Sequence, residues 1–328
     1  MKTGKIAESV LKRSVLKKVK TLRPEVVVKG NPGIDVSAVE LEEDEVFVVS
    51  TDSFVDSKSS ALEISIYSAL NNIATSGAEP VAITLGAFLP EEIEESELKE
   101  MMDKVEAICK EQNIQAMGGH TQVTKAVNSP IVSVTAIGKV KKANLLTTKN
   151  IKPGQDIVIT KWIGLSGTSV LAKENEPQIA EKYKQDLINA AKDFDKYLSV
   201  LREAATAVKS GASAMHDLSQ GGIMNALWEC SEAAGVGLTI DLKAIPVKQE
   251  TIEISEIFNI NPYRMISTGS LLIACDNGLT MVQALEDQGI SAKVIGKFTN
   301  SNDKIILNDG ETTYLDAPKP DELLTLLK

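Results

Sequence analysis

The sequence is short of residues that carry chemistry by themselves. Among 328 residues it has three cysteines (Cys109, Cys230, Cys275), two histidines and two tryptophans, and aromatics make up 4%. The cysteines are far apart and match no CxxC pattern. That spacing argues against a disulfide framework or a zinc site and predicts buried thiols in a reducing compartment. With only His120 and His216, and no GxSxG setting, a hydrolase triad has no support. No apolar run approaches the ~20 residues needed to cross a bilayer, and the N-terminus has no apolar signal region, so a cytoplasmic, non-membrane protein is expected. The common phosphate fingerprints are missing as well. Neither GxxxxGK[ST] nor a GxGxxG opening a βαβ unit occurs, which excludes a P-loop or a Rossmann site as far as motifs can.

What is present fits a globular protein of two domains. The length suggests two cores of roughly 150 residues each, and 43% hydrophobic residues can fill them. With 45 acidic and 35 basic side chains the net charge is −10, so nucleic acid and anionic membrane are disfavoured as partners. The basic stretch from Lys2 to Arg23 reads either as a basic arm or as a solvated amphipathic segment with Ile6, Val10, Leu11 and Val15 inward.

Residues 46–49 predict a buried strand leading into Ser50-Thr51-Asp52. A helix follows, opened by a Ser60/Glu63 capping box, with Leu62, Ile66, Ala69 and Ile73 inward and Gly77 at its C′ position. Residues 81–89 read as a strand, and residues 96–112 as a helix burying Leu98, Met101, Val105 and Ile108. Residues 114–117 form a strand entering a Gly118-Gly119-His120-Thr121 turn, and 131–140 a further strand. The polar stretch 141–154, closed by Pro153-Gly154, marks a boundary between domains 1–145 and 146–328. In the second half, 156–160 is a strand, 173–185 is charged and exposed, and 194–208 is a helix. Met215-His216-Asp217 ends a strand, and a helix from 222 stops at Gly235. The fold class is α+β.

Four places in the first half could hold phosphate and a cation: Gly30-Asn-Pro-Gly-Ile-Asp35, Asp52 at a strand end, Asn71-Asn72 within a helix, and Gly118-Gly119-His120-Thr121. Each has a plainer reading, since an Asp at a strand end is also a turn residue and a Gly-Gly pair is also turn geometry. In the second half Gly221-Gly222 opens a helix whose first amides and dipole suit an anion. His216 and Asp217 are neighbours on a strand, so they face opposite ways and do not form a dyad. Trp162 and Trp228 are read as core aromatics.

Taken in order, GIDVSAV (from Gly33), VVSTDSFV (from Val48), ALNNIATSGAEPVA (from Ala69), GGHTQVT (from Gly118), PIVSVTAIG (from Pro130), MHDLSQGG (from Met215) and NPYRMISTGSLLIA (from Asn261) resemble one superfamily. It contains aminoimidazole ribonucleotide (AIR) synthase, thiamine-monophosphate kinase, selenophosphate synthetase and the hydrogenase maturation protein HypE, and the likeness is greatest to HypE-like, AIR synthase-related proteins. The resemblance implies a two-domain PurM-like fold. Its N-terminal domain would form a dimer-spanning β-barrel in a homodimer, and its C-terminal domain an α/β sandwich. It also implies ATP with Mg²⁺ and phosphoryl transfer to, or activation of, a small substrate. A nucleotide-binding accessory or maturation protein with little turnover is the alternative.

The positions matching the family's nucleotide residues are Asp35, Asp52, Asn71, Asn72, Gly118, Gly119, His120, Thr121 and Asp217, with Gly221 and Gly222 beside them. Asp35, Asp52 and Asp217 are the candidate metal ligands. Relatives commonly carry charged groups where this chain has the amides Asn72, Gln122 and Gln220, and an amide does not supply the charge that holds a divalent ion. HypE modifies a cysteine at its own C-terminal end. The last cysteine here is Cys275, so that reaction on the chain's own tail is not expected.

Overall fold

The structure is a computed structural model that describes residues 4–31, 36–55, 57 and 59–326. The chain falls into two units, Met1–Ile73 with Ala78–Leu145, and Ala74–Gly77 with Leu146–Lys328.

The first unit runs β1 (Gly4–Lys5), α1 (Glu8–Val10) passing into a π-helical stretch (Leu11–Leu16), β2 (Val26–Val28), β3 (Ala38–Val39), β4 (Glu45–Asp52), α2 (Ala61–Thr75), β5 (Glu79–Leu89), α3 (Glu95–Gln112), β6 (Gln115–Val123) and β7 (Ile131–Lys141). Five strands form a sheet in the order β1-β6-β5-β7-β4, and β2 pairs with β3 as a separate ribbon. β5 and β6 are parallel and joined through α3; the other pairs are antiparallel. Burial alternates along β7 with a period of two, so one face of the sheet is covered and the other is open. Gly138 sits on the covered row where Ile73 of α2 comes down, and a Cβ there would run into that side chain. α2 is buried almost all round, through Ile64, Ile66, Leu70 and Ile73, each contributing about 1.5–3 kcal/mol of burial. It ends at Gly77, whose φ of 76° supplies the left-handed C′ position.

Four expectations change here. β4 extends to Asp52 and is an edge strand, with Phe47 and Val49 exposed at 48% and 60% on the open face. The Gly118–Thr121 stretch is no turn but the middle of β6. On α3 the buried methionine is Met102, and Met101 is half-buried. That helix opens one residue earlier than expected, at Glu95, behind a reciprocal Glu94/Glu97 capping box. The basic N-terminal stretch is the solvated amphipathic alternative, laid against the acidic rim of α3. Arg13 Nη2 donates to Glu95 at 2.5 Å, Lys18 Nζ to Asp103 at 2.5 Å, and Thr21 N–H to Glu106 at 2.8 Å.

The second unit contains β8 (Asp156–Thr160), α4 (Leu165–Glu174), α5 (Glu176–Ala180), α6 (Gln185–Lys192), α7 (Leu201–Lys209), β9 (Ala212–Asp217), α8 (Gly222–Ala234), β10 (Gly237–Asp241), α9 (Gln249–Phe258), β11 (Leu271–Cys275), α10 (Gly278–Glu286), β12 (Ala292–Thr299), β13 (Lys304–Asn308) and β14 (Glu311–Tyr314). Its seven-stranded mixed sheet has the order β14-β13-β10-β12-β8-β11-β9. Ile157 and Ile159 of β8 pack into one core with Leu227 and Cys230 of α8. Val158, pointing the other way, joins Ala204 and Ala207 of α7 and Met281 of α10. A strand covered on both faces reads as the unbroken apolar run Ile157-Val158-Ile159.

The helix expected over 194–208 is interrupted. A 3-10 turn (Asp193–Tyr197) precedes α7, and the Tyr197 and Ser199 carbonyls between them accept bonds of 2.8 and 2.7 Å from Lys161 Nζ. That ammonium is buried and also pairs with Glu203 at 2.6 Å. Burial lowers its pKa, with Glu203 opposing the shift. Among the described residues no helix is long and apolar enough to cross a membrane.

Candidate functional site

In the first unit the edge strand β1 ladders β6 only at Gln122 and Val123. Upstream of that, the Gly118–Thr121 stretch borders a cavity of about 470 Å³, together with Gly30 and Asn31. The two glycine segments are therefore brought together. Gly30 N–H donates to Met117 O at 2.6 Å, and Ser37 Oγ donates to the same carbonyl at 2.9 Å. A Cβ on Gly30 would lie 3.1 Å from Gly118 Cα, and one on Gly118 would lie 2.8 Å from Ser37 Oγ. Gly119, at φ 149°, passes so close to Leu85 that a Cβ would run into its carbonyl oxygen. All three glycines are fixed by chain approach before any ligand is considered. What the approach leaves is a strand edge with no side chains at two successive positions, where backbone amides can reach an anion.

Neighbouring residues on β6 face opposite ways. Gly119 and Thr121 are in register with Leu85 and Ala87, on the helix side where the cavity lies. His120 borders the cavity too, but its Nε2 lies 3.2 Å from Gln122 Oε1, the residue two along on the same face. The amide at Gln122 thus has a local partner.

Asp52 lies in the same row as Gly119: Asp52 pairs with Val134, Val134 with Leu85, and Leu85 with Gly119. Three strand spacings put it about 14 Å away. Burial pushes its carboxyl up, and a bond from the Ser53 amide works against that. Asn71 is buried within α2 and Asn72 half-buried; neither they nor Asp52 line the cavity. Asp35 lies outside the described residues. Among the described residues no three acidic, histidine or cysteine side chains are grouped as a metal site. The described carboxylates therefore do not by themselves make a seat for Mg²⁺.

The second unit presents its candidates differently. Asp217 ends β9 at 1% exposure; its charge helps raise the pKa of His216 and works against the burial that lowers the pKa of Lys161. His216 contacts the Asp217 carbonyl at 2.9 Å and Glu229 at 3.1 Å. Burial disfavours its imidazolium, yet Glu229 and Asp217 together raise its pKa. Gly221 and Gly222, at φ 80° and 61°, open α8. Their anion seat already holds an anion of the chain's own. Asp321 Oδ2 accepts from Gly221 N–H at 2.5 Å, and its Oδ1 from Leu323 N–H at 2.9 Å. Asn225 adds bonds to both the carbonyl and the amide of Lys319. Sequence reasoning missed Asp321, and its one signal, an Asp after Pro320, is an ordinary turn pattern.

The three thiols are buried. Burial pushes Cys109 up to about 12 and Cys275 up to about 11, which leaves them poor nucleophiles near neutrality.

The sequence matches the N-terminal domain of AIR synthase related proteins over residues 33–140, and their C-terminal domain over residues 152–308. The chain belongs to the AIR synthase-related family. It is similar to a Methanocaldococcus jannaschii protein provisionally named for hydrogenase expression and formation, at 25% identity over 74% of this chain and 72% of that one. It is also similar to carbamoyl dehydratase HypE of Cupriavidus necator, at 24% identity over 65% of this chain and 59% of that one. That second match therefore spans about three fifths of its relative. Among solved structures, HypE in complex with ATP superposes with a TM-score of 0.79 at 15% identity, covering 96% of both chains. Thiamine-monophosphate kinase from Stenotrophomonas maltophilia superposes with 0.73 at 19% identity, covering 94% and 98%. At such identities the likeness shows the fold: a two-domain AIR synthase-type fold of mixed α+β, whose sheets are not closed into a barrel within one chain.

Proposed function

We propose that this protein binds ATP along the Gly118–Thr121 stretch of β6 and uses it for phosphoryl transfer to, or activation of, a small substrate. The observation that carries the reading is that the Gly118–Thr121 stretch, with Gly30 packed beside it, lies beyond the pairing with β1 and borders a cavity. In this reading the glycine amides and the Thr121 hydroxyl hold phosphate oxygens. Its family relatives include a structure solved with ATP and a kinase, which supports the nucleotide.

The same reading extends to the dimer and the domains. Phe47, Val49 and Phe88 are exposed apolar residues of the first-unit sheet, a surface that a second copy would cover in a dimer-spanning barrel. Domains 1–145 and 146–328 are proposed on the same footing. Asp35 and Asp52 are proposed to contribute to Mg²⁺ binding in the first unit, with the nucleotide's own phosphates completing the charge, and Asn71 and Asn72 as hydrogen-bonding groups of that unit; Asp217 is proposed as a metal-binding carboxylate of the second unit. Magnesium would neutralise phosphate charge during transfer.

A second reading, a nucleotide-binding accessory protein with little turnover, is favoured by the lack of an acidic cluster among the described residues and by the amides Asn72, Gln122 and Gln220. Thermal unfolding with ATP tests the binding that both readings share, because a ligand held only by the folded state raises its stability. ADP formation with Mg²⁺ across a panel of small acids and amides separates them: turnover supports the enzyme, and binding without turnover supports the accessory protein.

A further inference from the structure

In the second unit the segment 316–326 crosses two elements that meet at Gly222. A Cβ on Gly222 would lie 2.6 Å from Met265 O and 2.8 Å from Tyr263 O, so only a bare backbone lets the 263–266 loop close onto the start of α8. Amides from both elements converge there. Gly221 N–H and Leu323 N–H donate to the Asp321 carboxylate at 2.5 and 2.9 Å, and the Ile266 amide stabilises its charge as well. A carboxylate held by backbone amides of separate segments occupies an oxyanion nest.

The same crossing covers further polar groups. Arg264 Nη2 donates to Asp316 at 3.2 Å, and Arg264 O accepts from Glu322 N–H at 3.2 Å. Asn225 holds the Lys319 backbone by its carbonyl and its amide, at 3.1 and 3.3 Å. Arg264 keeps a donor in reserve: its Nη1 is buried with no hydrogen-bond partner among the described residues, a costly state for a charged group. With the segment lifted, the surface beneath would present the Gly221 and Ile266 amides, the Arg264 guanidinium and the Asn225 carboxamide. Amides beside a guanidinium suit a phosphoryl group better than a cation or an apolar body. The segment meets them with two carboxylates, Asp316 on the arginine and Asp321 on the nest. Its own hold is slight. Residues 316–320 are exposed, and only Asp321 and Leu323 are buried. Burial works against the Asp321 charge, and a segment with few buried apolar contacts opens locally well before the fold does.

We propose that the segment 316–326 is a strap closing an oxyanion site: Asp321 holds the place of a phosphoryl group, and such a group binds by lifting the strap. The site lies wholly in the second unit, so it does not depend on nucleotide binding in the first.

Inorganic phosphate is the probe, and amide hydrogen exchange of the full chain, resolved by residue, is the readout, against sodium chloride at equal ionic strength. Phosphate should speed exchange of the Glu322 and Leu323 amides several-fold, to a plateau. The Gly221 and Ile266 amides should stay protected, because the anion takes over from the carboxylate. Asp321→Asn keeps the shape and removes the charge, and calorimetry should find phosphate bound about tenfold tighter, since the internal competitor is weaker. Leu323→Ala loosens the strap's apolar anchor, leaves Asp321 in place, and should also tighten phosphate. Strap exchange in the wild type that ignores phosphate overturns the proposal, as does a phosphate affinity no higher in either variant that keeps the wild-type near-ultraviolet dichroism. Faster exchange of Gly221 together with the strap also overturns it, because that marks loosening rather than replacement. Where phosphate lifts the strap, ATP shows which molecule carries the group. Release by ATP in Thr121→Val as in the wild type assigns the nest to a nucleotide phosphate, and no release assigns it to the phosphate of another molecule.

Discussion

The two units each carry a glycine pair beside a possible anion seat, and they differ in what fills it. In the first unit Gly118-Gly119 lies inside a strand, beyond its pairing with β1, and borders a cavity. In the second, Gly221-Gly222 opens a helix, and a carboxylate from 100 residues further along the chain sits on the first amide. An anion arriving at the first seat displaces water. At the second it must displace Asp321, whose carboxyl burial pushes up although the Gly221, Leu323 and Ile266 amides stabilise its charge. The same motif type is therefore open in one unit and self-capped in the other.

The largest expected effects come from breaking the closed side. Glu203→Gln removes the carboxylate partner of the buried Lys161 and should destabilise the second unit by about 3–5 kcal/mol in denaturant unfolding, because a buried charge is left uncompensated. Comparable damage is expected on the open side from Gly119→Val, whose Cβ has no room against Leu85, at a cost on the order of 3 kcal/mol or more. If Gly119→Val unfolds at the wild-type denaturant midpoint, the close approach of β5 and β6 is wrong.

Asp321→Ala sharpens the comparison. Losing the helix-capping carboxylate should cost about 1–2 kcal/mol, and it should open the α8 amides to solution anions. Inorganic phosphate should then raise the Tm of the variant more than that of the wild type. An equal response in both would mean that the seat at Gly221 takes no external anion even when vacated.

A smaller effect concerns acid. Glu25 sits between Arg23 and Lys139, and the Arg23 guanidinium holds its carboxyl down at about 2 against an ordinary value of 4.5. A depressed carboxylate stabilises the fold fully above its unfolded value and loses that contribution as pH falls through its folded value. Glu25→Gln should therefore lower stability at neutral pH and flatten its loss between about pH 5 and 2. A wild-type slope in the variant would place the acid sensitivity elsewhere.

Local signals carried much of this in the sequence. The strand at Asp156–Thr160 was legible as an apolar run with charged and glycine flanks, and the stop of α8 at Gly235 as a left-handed cap. The Gly118-Gly119 pair was legible as important but not as a strand, because glycine permits close chain approach as readily as it permits a turn. Only the register with β5 decides between them. Asp321 on Gly221 and Arg13 on Glu95 join residues 100 and 82 apart, and no local pattern announces such pairs. Phe47 and Val49 were legible as strand residues, but β4's place at the sheet edge, which exposes them, is a fact of topology.

The account rests most directly on nucleotide binding along the Gly118–Thr121 stretch of β6, and one measurement reaches it: the change in Tm on adding ATP to the wild type and to Thr121→Val. At a hundredfold excess over Kd, ATP should stabilise the wild type by about 2.7 kcal/mol, seen as a rise of several degrees. Thr121→Val should keep its own Tm near the wild-type value and lose most of that rise. An unchanged Tm in the wild type at saturating ATP, or an undiminished rise in Thr121→Val, would contradict it.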